Sequence, residues 1–259
     1  MQKNEMKAKL LRGQPVVGVF SNVQAPNAIE IVGILGMDYV IVDAEHTAVT
    51  PETAEHLFRA AELRHITPLT RIGENTQQVI QKFMDAGSMG VLMPLINTAE
   101  DAKRVVDGVK YPPMGKRGLA ATRSAEWALT QPFADYVRQA NQETLIAVQI
   151  ETRQAIENFD QIVRVEGVDA IFFGPTDLSS AFGLHGQIRH PEVVETIQRL
   201  GVATIAAGKI AATLAPTIED YKRYREMGFL WFTTGVAQLL ARGVREFVGE
   251  VKEYEKGRG

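Results

Sequence analysis

The chain has no cysteine among its 259 residues. That excludes thiolate zinc sites, iron–sulfur clusters and a cysteine nucleophile. It fits a reducing compartment, and we expect the cytoplasm. Long apolar runs are missing as well. No stretch approaches the roughly 20 apolar residues that span a bilayer. The N-terminal MQKNEMKAKLLRGQP has no apolar run behind its charges. We therefore expect no signal peptide and no membrane partner. A basic block is absent too, and the net charge is −3. No nucleic-acid partner is expected on those grounds. The chain has no P-loop, no G-x-G-x-x-G after a strand, no H-E-x-x-H, and nothing that would build a Ser–His–Asp elbow.

What is present is ordinary globular material, 45% hydrophobic and 23% charged. A chain of this length buries a large core without disulfide staples. Short runs of Val, Ile, Leu and Phe recur along it: PVVGVFS from Pro15, YVIVDAE from Tyr39, TPLTRI from Thr67, GVLMPLI from Gly90, LIAVQIE from Leu145, AIFFGP from Ala170, IAATLA from Ile210 and FLWFTTG from Phe229. They are continuously apolar, not alternating, as in parallel strands buried on both faces.

Helical patterns separate them. Pro51 follows a good N-cap, Thr50. Gly87 is placed to end the helix of NTQQVIQKFMDAG. Thr98 and Asp101 have nearly the spacing of a capping box, and Thr217 opens a similar helix. We assign residues 201–208 to the end of a helix starting at Pro191. Eight alternations predict an α/β fold: one (β/α)₈ TIM barrel over 1–259, with 1–14 as an N-terminal extension or helix. Two small domains are the weaker alternative. The segment from Lys110 to Asn141 is too long for a simple turn and helix. We expect it to lie over the active-site face.

Barrel chemistry sits at the C-terminal ends of the strands. The polar residues there are Asp43, Glu45 and His46, then Arg71, then Gln149 and Glu151, then Asp177. Glu151 and Asp177 come from neighbouring strands and suit Mg²⁺, Mn²⁺ or Co²⁺, with water and substrate completing the shell. The competing reading makes both of them helix-capping carboxylates. Asp43 stands three residues before His46 and could orient its imidazole as a base. Equally, His46 is a loop histidine and Asp43 a cap. Arg71 could grip a carboxylate or a developing oxyanion, or close a salt bridge in the barrel mouth. Gly174, Pro175, Thr176 and Asp177 would expose backbone N–H groups at a helix start. His185 and His190 lie in a glycine-rich loop from which at best one reaches the pocket.

In order and spacing, the segments VDAEH, TRI, GVLMPLI, YPPMGKRG, VQIET and EGVDAIFFGPTDLSSAFG resemble the HpcH/HpaI aldolase family, from about Pro15 to about Leu240. The pair VQIET and GPTDLS is the most specific part. The resemblance implies a metal-dependent class II aldolase that makes or breaks C–C bonds next to pyruvate. Its implied divalent-metal ligands are Glu151 and Asp177. Its implied catalytic residues are Arg71 on the pyruvate oxygen and His46 paired with Asp43 for acid–base work. Gln149 falls near the pyruvate, whose carboxylate lies against Gly174, Pro175, Thr176 and Asp177, and Leu214 joins the substrate-binding set.

The implied partners are a 2-oxo acid and an aldehyde. The implied assembly is a homo-oligomer, a hexamer or trimer of dimers, in which the last helix is exchanged between subunits. The same enolate also serves oxaloacetate decarboxylation and related synthases. A non-catalytic small-molecule-binding barrel is the contrasting class. The chain departs from the family pattern at Ala44, at Thr47-Ala48-Val49, at Thr176 and at Gly235-Val236-Ala237. The aldehyde side is where those departures bear.

Overall fold

The structure is a computed structural model that describes residues 2–258. Eight parallel strands close into a barrel in sequence order: β1 Val16–Ser21, β2 Tyr39–Asp43, β3 Thr67–Arg71, β4 Gly90–Met93, β5 Leu145–Ile150, β6 Ala170–Phe173, β7 Ile210–Leu214 and β8 Trp231–Gly235. β8 pairs with β1, Val16 opposite Trp231, and closes the ring. Each apolar run marked in the sequence contains one of these strands. β2 through β6 are buried along nearly their whole length, which explains why they do not alternate.

The helices are α1 Glu5–Leu11, α2 Pro26–Ile34, α3 Pro51–Leu63, α4 Gln77–Ala86, α5 Ala99–Val109, α6 Phe133–Glu143, α7 Arg153–Glu157, α8 Phe159–Ile162, α9 Pro175–Ala181, α10 Pro191–Ala206, α11 Ile218–Glu226 and α12 Val236–Lys256. Their ends follow local chemistry. Thr50 Oγ1 accepts from Thr53 N at 3.2 Å and starts α3. Thr98 and Asp101 form a complete capping box on α5. α4 stops at Gly87, whose φ of 119° a side chain would resist. No helix among the described residues is long and apolar enough to cross a membrane.

Inside the barrel, Tyr39, Ile41, Leu69, Leu92, Phe172 and Trp231 pack into a core distinct from the one between sheet and helices. The N-terminal segment is a helix, α1, and it plugs the lower end of that core. Met6 and Leu10 are buried against the barrel interior. Asn4 Nδ2 donates to Met89 O and Glu143 O, and Lys7 Nζ to Thr144 O at 2.8 Å.

The segment 110–141 does not lie over the active-site face. It follows α5 and leads into β5, so it belongs to the floor. Arg123, in the 3₁₀ turn Arg123–Ala128, pairs with Glu62 at the end of α3 and donates to Ala86 O at the end of α4. Those helix ends lie just before β3 and β4, at the N-terminal mouth. The difference arises because long excursions over the active-site face are βα connections, whereas this one is an αβ connection.

α12 is the other departure from a closed ring of helices. It runs for 21 residues, yet only Val236 is buried. Leu240, Val244, Phe247, Val251 and Tyr254 form a one-sided stripe at alternating four- and three-residue spacing, and all are exposed.

Candidate active site

At the C-terminal mouth a cavity of about 440 Å³ opens. Asp43 and His46 reach it from the end of β2 and Arg71 from β3. Gln149 reaches it from β5, Gly174, Thr176 and Asp177 from the turn after β6, and Leu214 from β7. Pro175, the first residue of α9, is buried behind the turn and does not line the cavity. Glu151 does not line it either. It is 3% exposed and lies just beneath the surface, at Gly174. A Cβ on Gly174 would stand 2.6 Å from Gln149 Nε2 and 3.1 Å from Glu151 Oε2. Glycine lets the backbone pass directly over these two side chains, which a Cβ would push aside.

Neither candidate metal ligand caps a helix. α7 is capped by Thr152, whose hydroxyl accepts from Ala155 N at 3.0 Å. α9 starts at Gly174 with no side-chain cap, and Asp177 lies in its first turn. The Glu151 carboxylate instead accepts from Leu95 N at 2.7 Å and from the Gln149 amide. Leu95 adopts φ 52°, a left-handed conformation that costs a leucine roughly 1 kcal/mol or more. The strain aims its N–H at Glu151. Burial pushes the Glu151 carboxyl up to about 7; the Leu95 amide opposes this, and the nearby charges of Asp177 and Glu45 add to it. Gln149 is itself buried, and its Oε1 has no partner among the described residues.

Arg71 is held from several sides. Its Nε donates to Asp43 Oδ1 at 2.9 Å and its Nη2 to Asp43 Oδ2 at 2.6 Å. Glu45 Oε2 lies 3.3 Å from Nε, and the guanidinium sits 4.6 Å over the Phe20 ring. Nothing among the described residues accepts from Nη1, the remaining end of the fork. Burial raises the proton affinity of Asp43. The hydrogen bonds and charge of Arg71, with the Glu45 and His46 amides, outweigh it and hold the carboxyl below its usual range.

The expected pairing of Asp43 with the His46 ring is not formed. Asp43 accepts from the backbone N of Glu45 and of His46, at 3.1 and 3.4 Å, and gives both oxygens to Arg71. The carboxylate beside the imidazole is Glu45, with Oε2 3.7 Å from His46 Nε2. Burial raises the Glu45 carboxyl against the charges of Arg71 and His46. Glu45 and Leu95 are thus the residues that sequence reasoning left without a role. The first was visible inside D-A-E-H; the second carried no signal. His185 and His190 do not line the cavity, but Ile188 between them does.

Glu151 and Asp177 fit a hard divalent cation. Glu151 is buried and Asp177 half-buried, the charge of Asp177 works against that of Glu151, and the donors are all oxygen. Among the described residues no three His, Cys, Asp or Glu side chains close into a metal-holding group, so water and substrate would supply the remaining ligands.

The chain is 35% identical to a hydroxypyruvate/pyruvate aldolase of Delftia acidovorans over 241 residues, 92% of this chain and 88% of that protein. A HpcH/HpaI aldolase/citrate lyase family protein from Burkholderia cenocepacia has the same fold at a TM-score of 0.90 and 28% identity, covering 96% of this chain and 99% of that one. Citrate synthase SbnG matches at a TM-score of 0.88 and 30% identity, covering 98% of both chains. The chain is an aldolase-type carbon–carbon lyase by these relationships. The family model for HpcH/HpaI aldolase/citrate lyase matches residues 16–242, and the chain belongs to that family.

Proposed function

We propose that this enzyme cleaves and forms 4-hydroxy-2-oxo acids through a pyruvate enolate, with a divalent ion held by Glu151 and Asp177. One observation carries the reading: Arg71 and Asp177 face a single cavity floored by a buried carboxylate that repulsion and burial raise to about 7. When bound, the ion would supply Lewis acidity to the 2-oxo group.

The chain's own residues account for the rest. The free Nη1 of Arg71 holds the 2-oxo oxygen, and the turn from Gly174 to Asp177 faces the carboxylate. His46, with Glu45 beside it, takes the proton of the 4-hydroxyl. The C3–C4 bond breaks, the aldehyde leaves, and the electron pair enters the C2–C3 enolate, whose oxygen Arg71 stabilises. C3 then takes a proton to give pyruvate. Asp43 acts through Arg71 by fixing its orientation.

The test is pyruvate release from 4-hydroxy-2-oxo acids with Mg²⁺, Mn²⁺ or Co²⁺, and again with EDTA. Release that needs metal supports the reading. No release across a broad substrate panel, with oxaloacetate also untouched, sinks it and favours a non-catalytic binding barrel. Turnover of oxaloacetate alone would favour a decarboxylase or a synthase that uses the same enolate. The likeness to citrate synthase SbnG motivates that arm.

The same reading places the enzyme in the cytoplasm as a homo-oligomer, a hexamer or trimer of dimers, in which α12 is exchanged. The exposed stripe on α12 supports it. So does a groove beside β1 and β8 lined by Val17, Ile218, Tyr221 and Phe232, which α12 of a second copy would fill. Light scattering on the full chain and on Phe247→Glu tests this; an unchanged mass for the variant would count against it.

A further inference from the structure

We propose that the half of the cavity facing the aldehyde accepts a short uncharged aldehyde, and that Ile188 sets this preference. The proposal rests on the aldolase reading above. The oxo-acid half is built from the ends of β2, β3, β5 and β6. The other half is closed by β7, β8, β1 and the loop after α9. Its lining is Asn22, Ile188, Leu214, Pro216, Thr234 and Gln238, all neutral.

Charge decides the class of acceptor. Among the described residues that line the cavity, the side chains able to carry positive charge are Arg71 and His46. Arg71 already bridges Asp43 and Glu45, and its free end serves the oxo acid. His46 has Glu45 beside it. Of the acidic residues facing the same space, Asp43 is paired with Arg71, and Asp177 belongs with the proposed divalent ion in the oxo-acid half. A carboxylate or phosphate on the far end of the aldehyde would meet no cation in this neutral half, and giving up its hydration there without a partner is costly. A hydroxyl or a methyl group meets Thr234, Gln238 and Asn22, or Ile188, Leu214 and Pro216, at no such cost.

Ile188 is a fixed wall. The loop is pinned on one side by Gly186 N donating to Ser179 Oγ at 2.8 Å. On the other, Arg189 Nη2 donates to Asp220 Oδ2 at 3.0 Å, a carboxylate that is itself 8% exposed. That bond engages the neighbouring Arg189 guanidinium, which does not line the cavity, and Ile188 presents an aliphatic side chain to it. A held wall discriminates where a mobile one would adapt.

The experiment is aldol addition of pyruvate to aldehydes matched in length, one set uncharged, one ending in a carboxylate and one in a phosphate, for wild type and Ile188→Lys. Thermal unfolding of the half-exposed variant checks that it is folded. Wild type is expected to favour the uncharged set by at least about tenfold in kcat/KM, and Ile188→Lys to shift the ratio toward the anionic sets by about tenfold. Equal or better use of an anionic aldehyde by wild type would overturn the proposal. A folded Ile188→Lys with an unchanged ratio would remove Ile188 as its determinant. Ile188→Ala is the second variant: its kcat/KM should fall for propionaldehyde and hold for glycolaldehyde. No addition to any aldehyde would bring down the aldolase reading itself, an outcome distinct from a reversed preference.

Discussion

The two ends of the barrel treat buried charge in opposite ways. At the floor, Lys110 is buried but its ammonium donates to Asn141 O, Thr144 O and Thr144 Oγ1 at 2.7, 2.8 and 2.9 Å. Arg117 meets Asp85, though its Nε is left without a partner among the described residues, Arg123 meets Glu62, and Asn4 is satisfied by two carbonyls. At the mouth, Glu151 is raised by burial and by like charges, Gln149 leaves Oε1 unpartnered, and Leu95 is held in a left-handed conformation. Floors of this kind are arranged for stability. Left-handed residues occur at both ends, so strain does not divide them; a mouth that gathers carboxylates of like sign around a buried one is arranged for something that arrives later. Conservative changes should therefore cost activity at one end and stability at the other.

The largest effect tests the mouth. Glu151→Gln removes a candidate metal ligand and a repelled buried charge together. Pyruvate release should fall by about a thousandfold, the upper range for losing one transition-state charge contact. The melting temperature of the metal-free protein should hold or rise, because a neutral amide replaces a charge disfavoured by burial. A clear drop in Tm would erase the contrast and make Glu151 structural. At the floor the pattern should invert. Lys110→Met leaves Asn141 O without its lysine donor and takes one of two from Thr144 O, which Lys7 still serves; set against the removal of a charge that burial disfavours, the net cost is about 1 kcal/mol, or roughly 2–4 °C in Tm. Its kcat/KM should match wild type in the temperature range where both are folded.

The same contrast explains what was legible in the sequence. Parallel strands buried on both faces write themselves as apolar runs, so all eight stand out, and the caps Thr50, Thr98 and Thr217 mark helix starts directly. The rule that chemistry sits at strand ends points from the sequence alone to Asp43, Arg71, Gln149 and Asp177, which share one cavity. What depends on direction was not legible. D-A-E-H names two carboxylates beside a histidine, but the turn after β2 decides that Asp43 faces Arg71 and Glu45 faces the ring. The 110–141 excursion was long enough to notice, but its end of the barrel follows only from whether a strand or a helix precedes it. Leu95 acts through its backbone, and a strained backbone has no residue type to announce it.

A smaller effect sharpens the geometry of the mouth. Gly174→Ala adds a Cβ 2.6 Å from Gln149 Nε2, so that amide and the Glu151 carboxylate it holds must shift. A displacement of this size at a reacting centre costs about a hundredfold in rate. The fold should survive, since the clash is with side chains and not with backbone. Unchanged kcat/KM would mean that Gln149 and Glu151 have more freedom than their packing implies.

The smallest effect belongs to the floor and is read in pH. Burial, with help from the charge of Lys7 and against that of Asp169, lowers Lys110 to about 8 in the folded protein, while the unfolded chain keeps the ordinary lysine value. Between those values the unfolded state binds more protons than the folded one, so stability rises with pH from about 8 upward. Below that window both states are protonated, and the group makes stability no steeper. The gain ends as Tyr39 and Tyr111 come into play. Burial raises both phenols above their ordinary value of 10, and ionisation of the unfolded chain opposes folding from there. Chemical denaturation of wild type between pH 7 and 10 should show this rise, and Lys110→Met should flatten it. A variant that kept the full slope would assign the pH dependence to other groups and leave Lys110 as an ordinary anchor of the floor.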